Sequence, residues 1–439
     1  MFTKLFWRWS LAVSFKLCTA LLTAQCAYSA DWPRWRGPAA DGVSAETNWS
    51  DQWPVGGPIV RWRADVGTGF SSVAVAAGRL FTLGNHDNVD TVICLDAASG
   101  DSLWQHSYSS PLDDRFFEGG PTSTPTVDGS YVYTLGRQGD LFCLEVETGK
   151  VAWSANVAEL TGASVPGWGF GGSPVVHENL LLLNVGQAGT ALDKRTGEVV
   201  WTSATGEAGY MTPLAVQLDQ RWYVLIASGR AYQCIDLERG ELAWRHRWLT
   251  TYGCNAADPI IDGSRAFISS GYNRGAALLD MRASSVEVVW ANKEMQNQLN
   301  SSVKVGKHVF GFSGNDTGDV ELKCIDFETG TARWSASGLG LGSLMAAGER
   351  LIILSDDGEL VIAPASSESF QPTARARILS GKCWTVPVLA NGSIYCRNAL
   401  GQIACVDVKK SDSAETTRTR DAQAAGDHTH KDNNATKKD

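Results

Sequence analysis

The sequence predicts an all-β fold, an eight-bladed β-propeller of four-stranded antiparallel blades whose ring is closed by an N-terminal strand in the last blade. Three observations lead to this prediction. One short motif recurs along the chain, strand-like segments flank each copy, and the last repeat lacks a strand that the N-terminal region can supply. Repeats of this period with four strands each are typical of propellers and not of helical solenoids.

The segment 1–30 has the features of a secretory signal peptide. Basic residues come first, a short apolar run follows, and small residues stand at the expected cleavage site. These features are Lys4, Arg8 and Lys16, the run from Leu17 to Ala24, and Ser29 and Ala30. The run is much shorter than the roughly 20 residues of a membrane span, and Gln25 before Cys26 does not favour lipid attachment. We therefore expect a periplasmic or secreted protein with no membrane span after cleavage.

The remaining chain is expected to have three parts: an N-terminal extension at 31–57, the propeller at 58–409 and a disordered tail at 410–439. The tail is rich in Ser, Thr, Asp, Lys and Ala and has hardly any large apolar residue, so it cannot form a core. The formal net charge is −9 and no basic stripe occurs. This argues against a nucleic-acid partner, because phosphate binding needs a basic surface.

The recurring motif is an acidic residue, a glycine four residues later and a tryptophan four residues after that. The glycine suits a tight turn between two antiparallel strands, and the acid can accept hydrogen bonds from the backbone of that turn. The indole offers a large rigid face that can pack on the next blade. The tryptophans assigned to this structural role are 42 to 49 residues apart and are Trp62, Trp104, Trp153, Trp201, Trp244, Trp290 and Trp334.

Another predicted strand pair precedes each motif, which gives four strands per blade. In two blades, Asp128-Gly129 and Asp262-Gly263 predict type I′ hairpins. The eighth unit starts near Gly381 and ends after three strands, and the segment from Ile59 to Val66 has the character of the missing strand. We expect this pairing to close the ring and to remove exposed sheet edges.

Eight cysteines follow the leader, and five of them share one repeat position two residues before the acid. Ala191 and Leu278 stand at this position in other blades. Because Cys, Ala and Leu interchange there, we predict a buried apolar slot and not a metal site. The five are Cys94, Cys143, Cys234, Cys324 and Cys405. Cys396 and Cys405 lie on one predicted hairpin, so a disulfide between them is open.

The motif and its spacing resemble the pyrroloquinoline quinone (PQQ) propeller repeat over roughly residues 58–408. The resemblance implies the fold but not one function. PQQ-dependent alcohol dehydrogenases of this kind hold the quinone and Ca²⁺ on the propeller axis, whereas the propeller lipoprotein of the outer-membrane barrel-assembly machinery is similar and has no cofactor. The dehydrogenases have adjacent disulfide-bonded cysteines beside the quinone, and no Cys-Cys pair occurs here. We therefore carry no catalytic residue over from the family.

The loops that lead into the first strand of each blade converge on the axis of a propeller, where polar groups can surround a ligand. Here these loops are rich in glycine, aromatic and amide residues. The candidates for aromatic walls are Trp168, Phe170, Tyr210, Tyr252 and Trp384. The amides Asn255, Asn297 and Asn300 can offer hydrogen bonds. Cofactor contacts are assigned to Trp168, Tyr210, Tyr252, Asn255, Asn300 and Trp384, and the alternative is that the aromatic rings only plug the channel.

Asp258 is the carboxylate that we select as a catalytic base or a Ca²⁺ ligand. Asn255 and Glu118 are its candidate oxygen partners at a metal site, because Ca²⁺ prefers several oxygen ligands. The alternative is that Asp258 caps its own strand before Pro259.

Two functions follow from these patterns. The first is a non-catalytic secreted propeller, without a cofactor, that presents its loop face to a protein or to an extracellular polymer. The second is a PQQ- and calcium-dependent dehydrogenase that oxidises an alcohol or a sugar, with Asp258 taking the hydroxyl proton. The missing cysteine pair and the compact blades favour the first function.

Overall fold

A computed structural model describes residues 30–54, 56–203, 205–316 and 318–410. The expected signal peptide and the expected disordered tail lie outside these residues, apart from Ala30 and Lys410. The described chain forms eight antiparallel sheets arranged as the blades of a propeller, so the predicted fold class is confirmed.

Blades 1 to 6 each have four strands that follow one another in the chain and lie side by side in the same order, while blades 7 and 8 also take a strand from the N-terminal region. Two strands precede the first blade, β1 (Val43–Ser44) and β2 (Ile59–Asp65). Blade 1 contains β3 (Ala74–Ala76), β4 (Arg79–His86), β5 (Val89–Asp96) and β6 (Ser102–Ser109). Blade 2 contains β7 (Thr126–Asp128), β8 (Tyr131–Leu135), β9 (Asp140–Glu145) and β10 (Val151–Asn156), and the short helix α1 (Val157–Thr161) follows it.

The next three blades repeat this arrangement. Blade 3 contains β11 (Val175–His177), β12 (Leu180–Leu183), β13 (Thr190–Asp193) and β14 (Val199–Thr202). Blade 4 contains β15 (Leu214–Leu218), β16 (Arg221–Ala227), β17 (Ala231–Asp236) and β18 (Leu242–Arg247). A single 3₁₀ turn (Thr251–Gly253) precedes blade 5, which contains β19 (Ile260–Asp262), β20 (Arg265–Ser270), β21 (Gly275–Met281) and β22 (Val286–Asn292).

The last three blades complete the ring. Blade 6 contains β23 (Val303–Val305), β24 (His308–Ser313), β25 (Glu321–Asp326) and β26 (Ala332–Ala336). Blade 7 contains β27 (Ser343–Ala347), β28 (Arg350–Leu354), β29 (Glu359–Pro364) and β30 (Ala374–Arg377), and β1 adds to it in parallel beside β27. Blade 8 contains β31 (Val388–Ala390), β32 (Ser393–Arg397) and β33 (Gln402–Asp407), and β2 is its fourth strand.

The pairing of β2 with β33 closes the ring as predicted. Ile59 lies opposite Asp407 and Trp62 lies opposite Cys405 in an antiparallel register. Arg61 and Asp407 add an ion pair of 2.6 Å at this edge. The first regular propeller strand in the chain therefore completes the last blade.

The repeat tryptophans link each blade to the next. In each case the indole Nε1 donates a hydrogen bond to a backbone carbonyl just beyond the acid position of the following blade. The seven bonds are Trp62 to Ala97, Trp104 to Val146, Trp153 to Lys194, Trp201 to Leu237, Trp244 to Arg282, Trp290 to Phe327 and Trp334 to Ser366. Together these bonds connect blade 8 to blade 1 and then every blade up to blade 7.

The shared cysteine position lies directly opposite the tryptophan on the neighbouring strand. Cys94 pairs with Trp104, and Ala191 pairs with Trp201 in the same way. Every cysteine of the described chain is buried with a free thiol. The disulfide considered for Cys396 and Cys405 is therefore absent. Cys396 lies opposite Ala404 and is one residue out of register with Cys405, so the two side chains point to opposite faces of the sheet.

The predicted type I′ turns are wrong in detail. Asp128 is the last residue of β7 and pairs with Tyr131, so the two turn residues are Gly129 and Ser130. Only Gly129 has a positive φ, 57°. A positive φ at the first turn residue alone is the pattern of a type II′ turn, and Gly263 with φ 59° repeats it.

The junction between blades 7 and 8 departs from the repeat. Ala374 lies opposite Ile362, where Trp334 lies opposite Cys324 in blade 6. The N-terminal extension covers this junction instead. Trp49 is buried there, and the partly buried Trp53 and Ala374 pack against the same hydrophobic cluster.

Candidate functional site

We define the loop face as the surface formed by the eight loops that lead into β3, β7, β11, β15, β19, β23, β27 and β31. Contacts between these loops bring distant parts of the chain together. Lys382, before β31, forms an ion pair of 2.9 Å with Glu118, before β7. The ring of Phe70, before β3, lies 5.7 Å from the ring of Trp384.

Four aromatic rings of the loop face, together with Tyr272 from the neighbouring turn between β20 and β21, form what we call the exposed aromatic cluster. Its members are Phe116, Trp168, Tyr210, Tyr252 and Tyr272. The half-buried Trp168 is central, with ring centroids 6.0 Å from Phe116, 5.7 Å from Tyr210 and 6.3 Å from Tyr252. Phe116 and Tyr252 are 69% and 71% exposed. Tyr252 lies in the 3₁₀ turn before blade 5 and has a positive φ of 64°, which is uncommon for a bulky residue.

Trp384 belongs to a second group of rings. It lies beside Phe70, and Phe70 in turn contacts Phe117 at 5.5 Å. The indole of Trp384 donates to Asp356 at 2.8 Å, and the Lys382 ammonium lies 4.2 Å from its ring. Trp168 and Trp384 thus belong to separate groups of ring contacts. Phe170 is 1% exposed and packs in the core between blades 2 and 3, so it is not part of a channel wall.

Asp258 is buried and is held by Trp35 of the N-terminal extension and by Thr212 of the loop before β15. The indole of Trp35 donates to one carboxylate oxygen at 2.5 Å, and the backbone N–H of Thr212 donates to the other at 2.8 Å. Burial raises the pKa of Asp258 above its ordinary value, while the charge of Arg36 and these two donors oppose that rise. The carboxylate therefore connects blades 4 and 5 to the extension.

The other predicted polar ligands also have protein partners. The amide of Asn255 donates to the carbonyls of Ser228 and Trp248, at 2.9 and 3.3 Å. The amide of Asn300 donates to Gly342 at 2.8 Å, and that of Asn297 donates to Phe312 at 2.9 Å. Glu118 is occupied by Lys382 as described. These groups are engaged in contacts within and between blades, and the hydrogen bonds of Asp258 go to Trp35, Thr212 and Ser301.

The residues around Asp258 do not fit a quinone with Ca²⁺. Both carboxylate oxygens already accept hydrogen bonds. The void beside Asp258, lined by Arg34, Trp35 and Arg36, has a volume of about 10 Å³. This is near the minimum for a single water molecule, so a tricyclic cofactor has no space there. Within the described residues, no three His, Cys, Asp or Glu side chains are placed to hold a metal ion.

Sequence reasoning gave no role to Trp35 and Arg36, which are the residues that reach Asp258. The only sequence signal was the density of tryptophan and arginine between Asp31 and Pro38. In the described part of the chain, no helix has the length and apolar character to cross a bilayer.

The chain is similar in sequence to outer membrane assembly factors. A family model described as outer membrane protein assembly factor BamB matches residues 88–336, more than half of the chain. A protein of Shewanella oneidensis named outer membrane protein assembly factor BamB is 22% identical over 381 residues, which cover 80% of this chain and 89% of that protein.

Solved structures share the fold. BamB from Moraxella catarrhalis aligns with a TM-score of 0.60 at 17% identity, covering 80% of this chain and 99% of that one. A quinohemoprotein alcohol dehydrogenase from Comamonas testosteroni aligns with a TM-score of 0.65 at 14% identity, covering 88% and 82%. At these identities the structures show the architecture alone. The family match together with the propeller shows that this chain belongs to the family described as outer membrane protein assembly factor BamB.

Proposed function

We propose that this chain is a non-catalytic periplasmic or secreted scaffold that binds a protein through its loop face. The observation that supports this most directly is the exposure of Phe116 and Tyr252 on two sides of Trp168. Exposed apolar patches mark interaction sites on soluble proteins, and large aromatic rings are enriched at the centres of protein interfaces. The names of the relatives suggest outer membrane protein assembly as the process in which the scaffold acts.

A PQQ- and calcium-dependent dehydrogenase is the alternative, because a quinohemoprotein alcohol dehydrogenase has the same fold. Its proton acceptor would be Asp258. That buried carboxylate accepts hydrogen bonds from Trp35 and Thr212 and lies near the charge of Arg36. A base must come within hydrogen-bond distance of the proton that it removes, so this geometry favours the scaffold.

Site-specific photo-crosslinking tests the proposal. A photoreactive residue is placed at Phe116 or Tyr252, and matched controls are placed at Leu103 and Val200, which are 44% and 50% exposed on the outer strands of blades 1 and 3. We expect one discrete protein adduct in cells from the loop-face positions and none from the controls. Equal labelling at all four positions would contradict a loop-face interface.

A second measurement addresses the alternative. The protein is purified with PQQ and Ca²⁺ present and assayed for dye-linked oxidation of alcohols and sugars. Stoichiometric quinone retention, with oxidation lost in Asp258→Ala, would overturn the scaffold proposal.

A further inference from the structure

The N-terminal segment, residues 31–44, runs along the inner strands of several blades in turn. Trp32 exchanges two backbone hydrogen bonds of 2.8 Å with Val75 of β3, and the carbonyl of Pro33 accepts from Val127 of β7 at 2.8 Å. Further along, the carbonyl of Gly42 accepts from Ala346 at 2.9 Å, and β1 continues in parallel beside β27. The inner strands of a propeller line its central channel, so the segment lies in that channel.

Side chains of the segment recognise two further blades. The Trp35 indole donates to Asp258 before β19 at 2.5 Å. The guanidinium of Arg36 donates to the carbonyl of Ser302 before β23 at 2.8 Å. Trp32 and Arg36 are 2% and 4% exposed. Between Trp32 and β1 the backbone is folded into turns, with bonds from Gly37 to Arg34 and from Ala40 to Gly37. These turns present an indole N–H and a guanidinium to groups that the blades hold in fixed positions.

The ring does not depend on this segment for its closure. β2 begins at Ile59, after the segment, and pairs with β33 without it. The segment is connected to β2 by residues 45–58, of which Gly56 is exposed and has no atom within 4 Å of the position that a Cβ would take. It therefore binds to a ring whose eight sheets each have four strands without it. Its last two residues, β1, add to the edge of blade 7 in the way that a peptide adds to a free strand edge.

We propose that the central channel is a binding site for a peptide that turns at a tryptophan followed by an arginine, and that the N-terminal segment is its resident ligand. The connection to β2 gives this ligand an effective concentration in the millimolar range. A free peptide of equal affinity at micromolar concentration consequently does not displace it from the intact chain.

The test cuts the connection between the N-terminal segment, which is the ligand, and the propeller ring, which is the receptor, in the folded full-length protein. A specific protease recognition sequence is inserted at Gly56, and the folded protein is cut there after purification. A fluorescent synthetic peptide of residues 30–54 is then added in excess, and its uptake is followed by fluorescence anisotropy. Matched peptides carry Trp35→Ala or Arg36→Ala, and a reversed-sequence peptide has the same composition.

We expect the cut protein to keep its folded spectrum and to exchange its own fragment for the labelled peptide, while the uncut protein takes up none. The Trp35→Ala and Arg36→Ala peptides should bind about tenfold more weakly, because each loses one charge-assisted or buried hydrogen bond. Unfolding on cleavage would show that the segment is part of the core and would overturn the proposal. Equal uptake of the reversed peptide, or no uptake by the cut protein, would also overturn it.

Discussion

The backbone N–H of Ser50 donates a hydrogen bond of 2.7 Å to the carbonyl of Val408. Val408 follows the acid of blade 8, and the equivalent carbonyl receives an indole N–H at five other junctions. The extension thus supplies at blades 7 and 8 the contact that Ala374 cannot make. It also brings Trp49 and Trp53 to the place where the repeat lacks its ring.

Replacing Trp49 by Ala should weaken this junction. Trp49 is 6% exposed, and truncation of a buried tryptophan costs about 3 kcal/mol or more. We expect a lower free energy of unfolding in urea and faster hydrogen exchange in β30 and β33, with blades 3 and 4 unchanged. Trp222→Ala is the control, because Trp222 is 42% exposed. A uniform rise in exchange around the ring would contradict a local role for Trp49.

Gly100→Ala should destabilise the protein more than Gly78→Ala. Both glycines have a left-handed backbone, with φ of 79° and 76°, which costs an alanine about 1 kcal/mol. A Cβ at Gly100 would lie 2.6 Å from the ring of Trp62, whereas one at Gly78 has no atom within 4 Å. Displacement of Trp62 should add about 1–2 kcal/mol. Urea unfolding of the two variants measures the difference, and equal costs would show that the Trp62 ring moves freely.

The acid of the repeat turn should stabilise blade 1 in a pH-dependent way. Hydrogen bonds from the backbone of Ser99 and Ala98 lower the pKa of Asp96 in the folded protein. Ionised Asp96 therefore contributes to the free energy of unfolding above its unfolded pKa, about 4. This contribution is lost as the pH falls through the lower pKa of the folded protein. Asp96→Asn should lower the melting temperature at pH 7 and have less effect below about pH 3. Asp87→Asn, at an exposed turn of the same blade, is the control, and a pH-independent difference would refute this account.

The cysteines should be reduced and unreactive in the folded protein. Burial raises the pKa of the Cys94 and Cys234 thiols to about 12, so little reactive thiolate exists at neutral pH. In denaturant without reductant, all eight cysteines of the described chain should react. If only six of these thiols react, two cysteines are joined in a disulfide, which would contradict the free thiols of this structure.

The sequence was sufficient to predict the propeller, because the turn acid, the glycine and the tryptophan act locally and recur at a regular spacing. Closure of the ring was also predictable, since blade 8 lacked a strand and the segment around Trp62 matched it. Cys94, Ala191 and Leu278 occupy the same repeat position in different blades. Their interchange indicated a buried apolar position, and all three are buried.

The site was less predictable because its contacts join loops that are distant in sequence. Nothing near Asp258 in the sequence indicates that Trp35 donates to it, and no repeat relates the two residues. Phe170 and Trp168 are two residues apart in one loop, yet one packs in the core and the other lies among exposed rings. Such differences depend on the direction of each loop over the finished ring.

The opposite placement of Ile59 and Asp407 in one sheet has a consequence for synthesis. The ribosome makes β2 near the start of the chain and β33 near its end. β2 therefore cannot pair with β33 until almost the whole polypeptide has been synthesised. Contacts so far apart in sequence are slow to form. A chain that terminates before Gln402 would lack β33, so β2 with Trp62 would have no strand to pair with. The ring would then stay open, and the cell would have to degrade the protein or bind it with a chaperone.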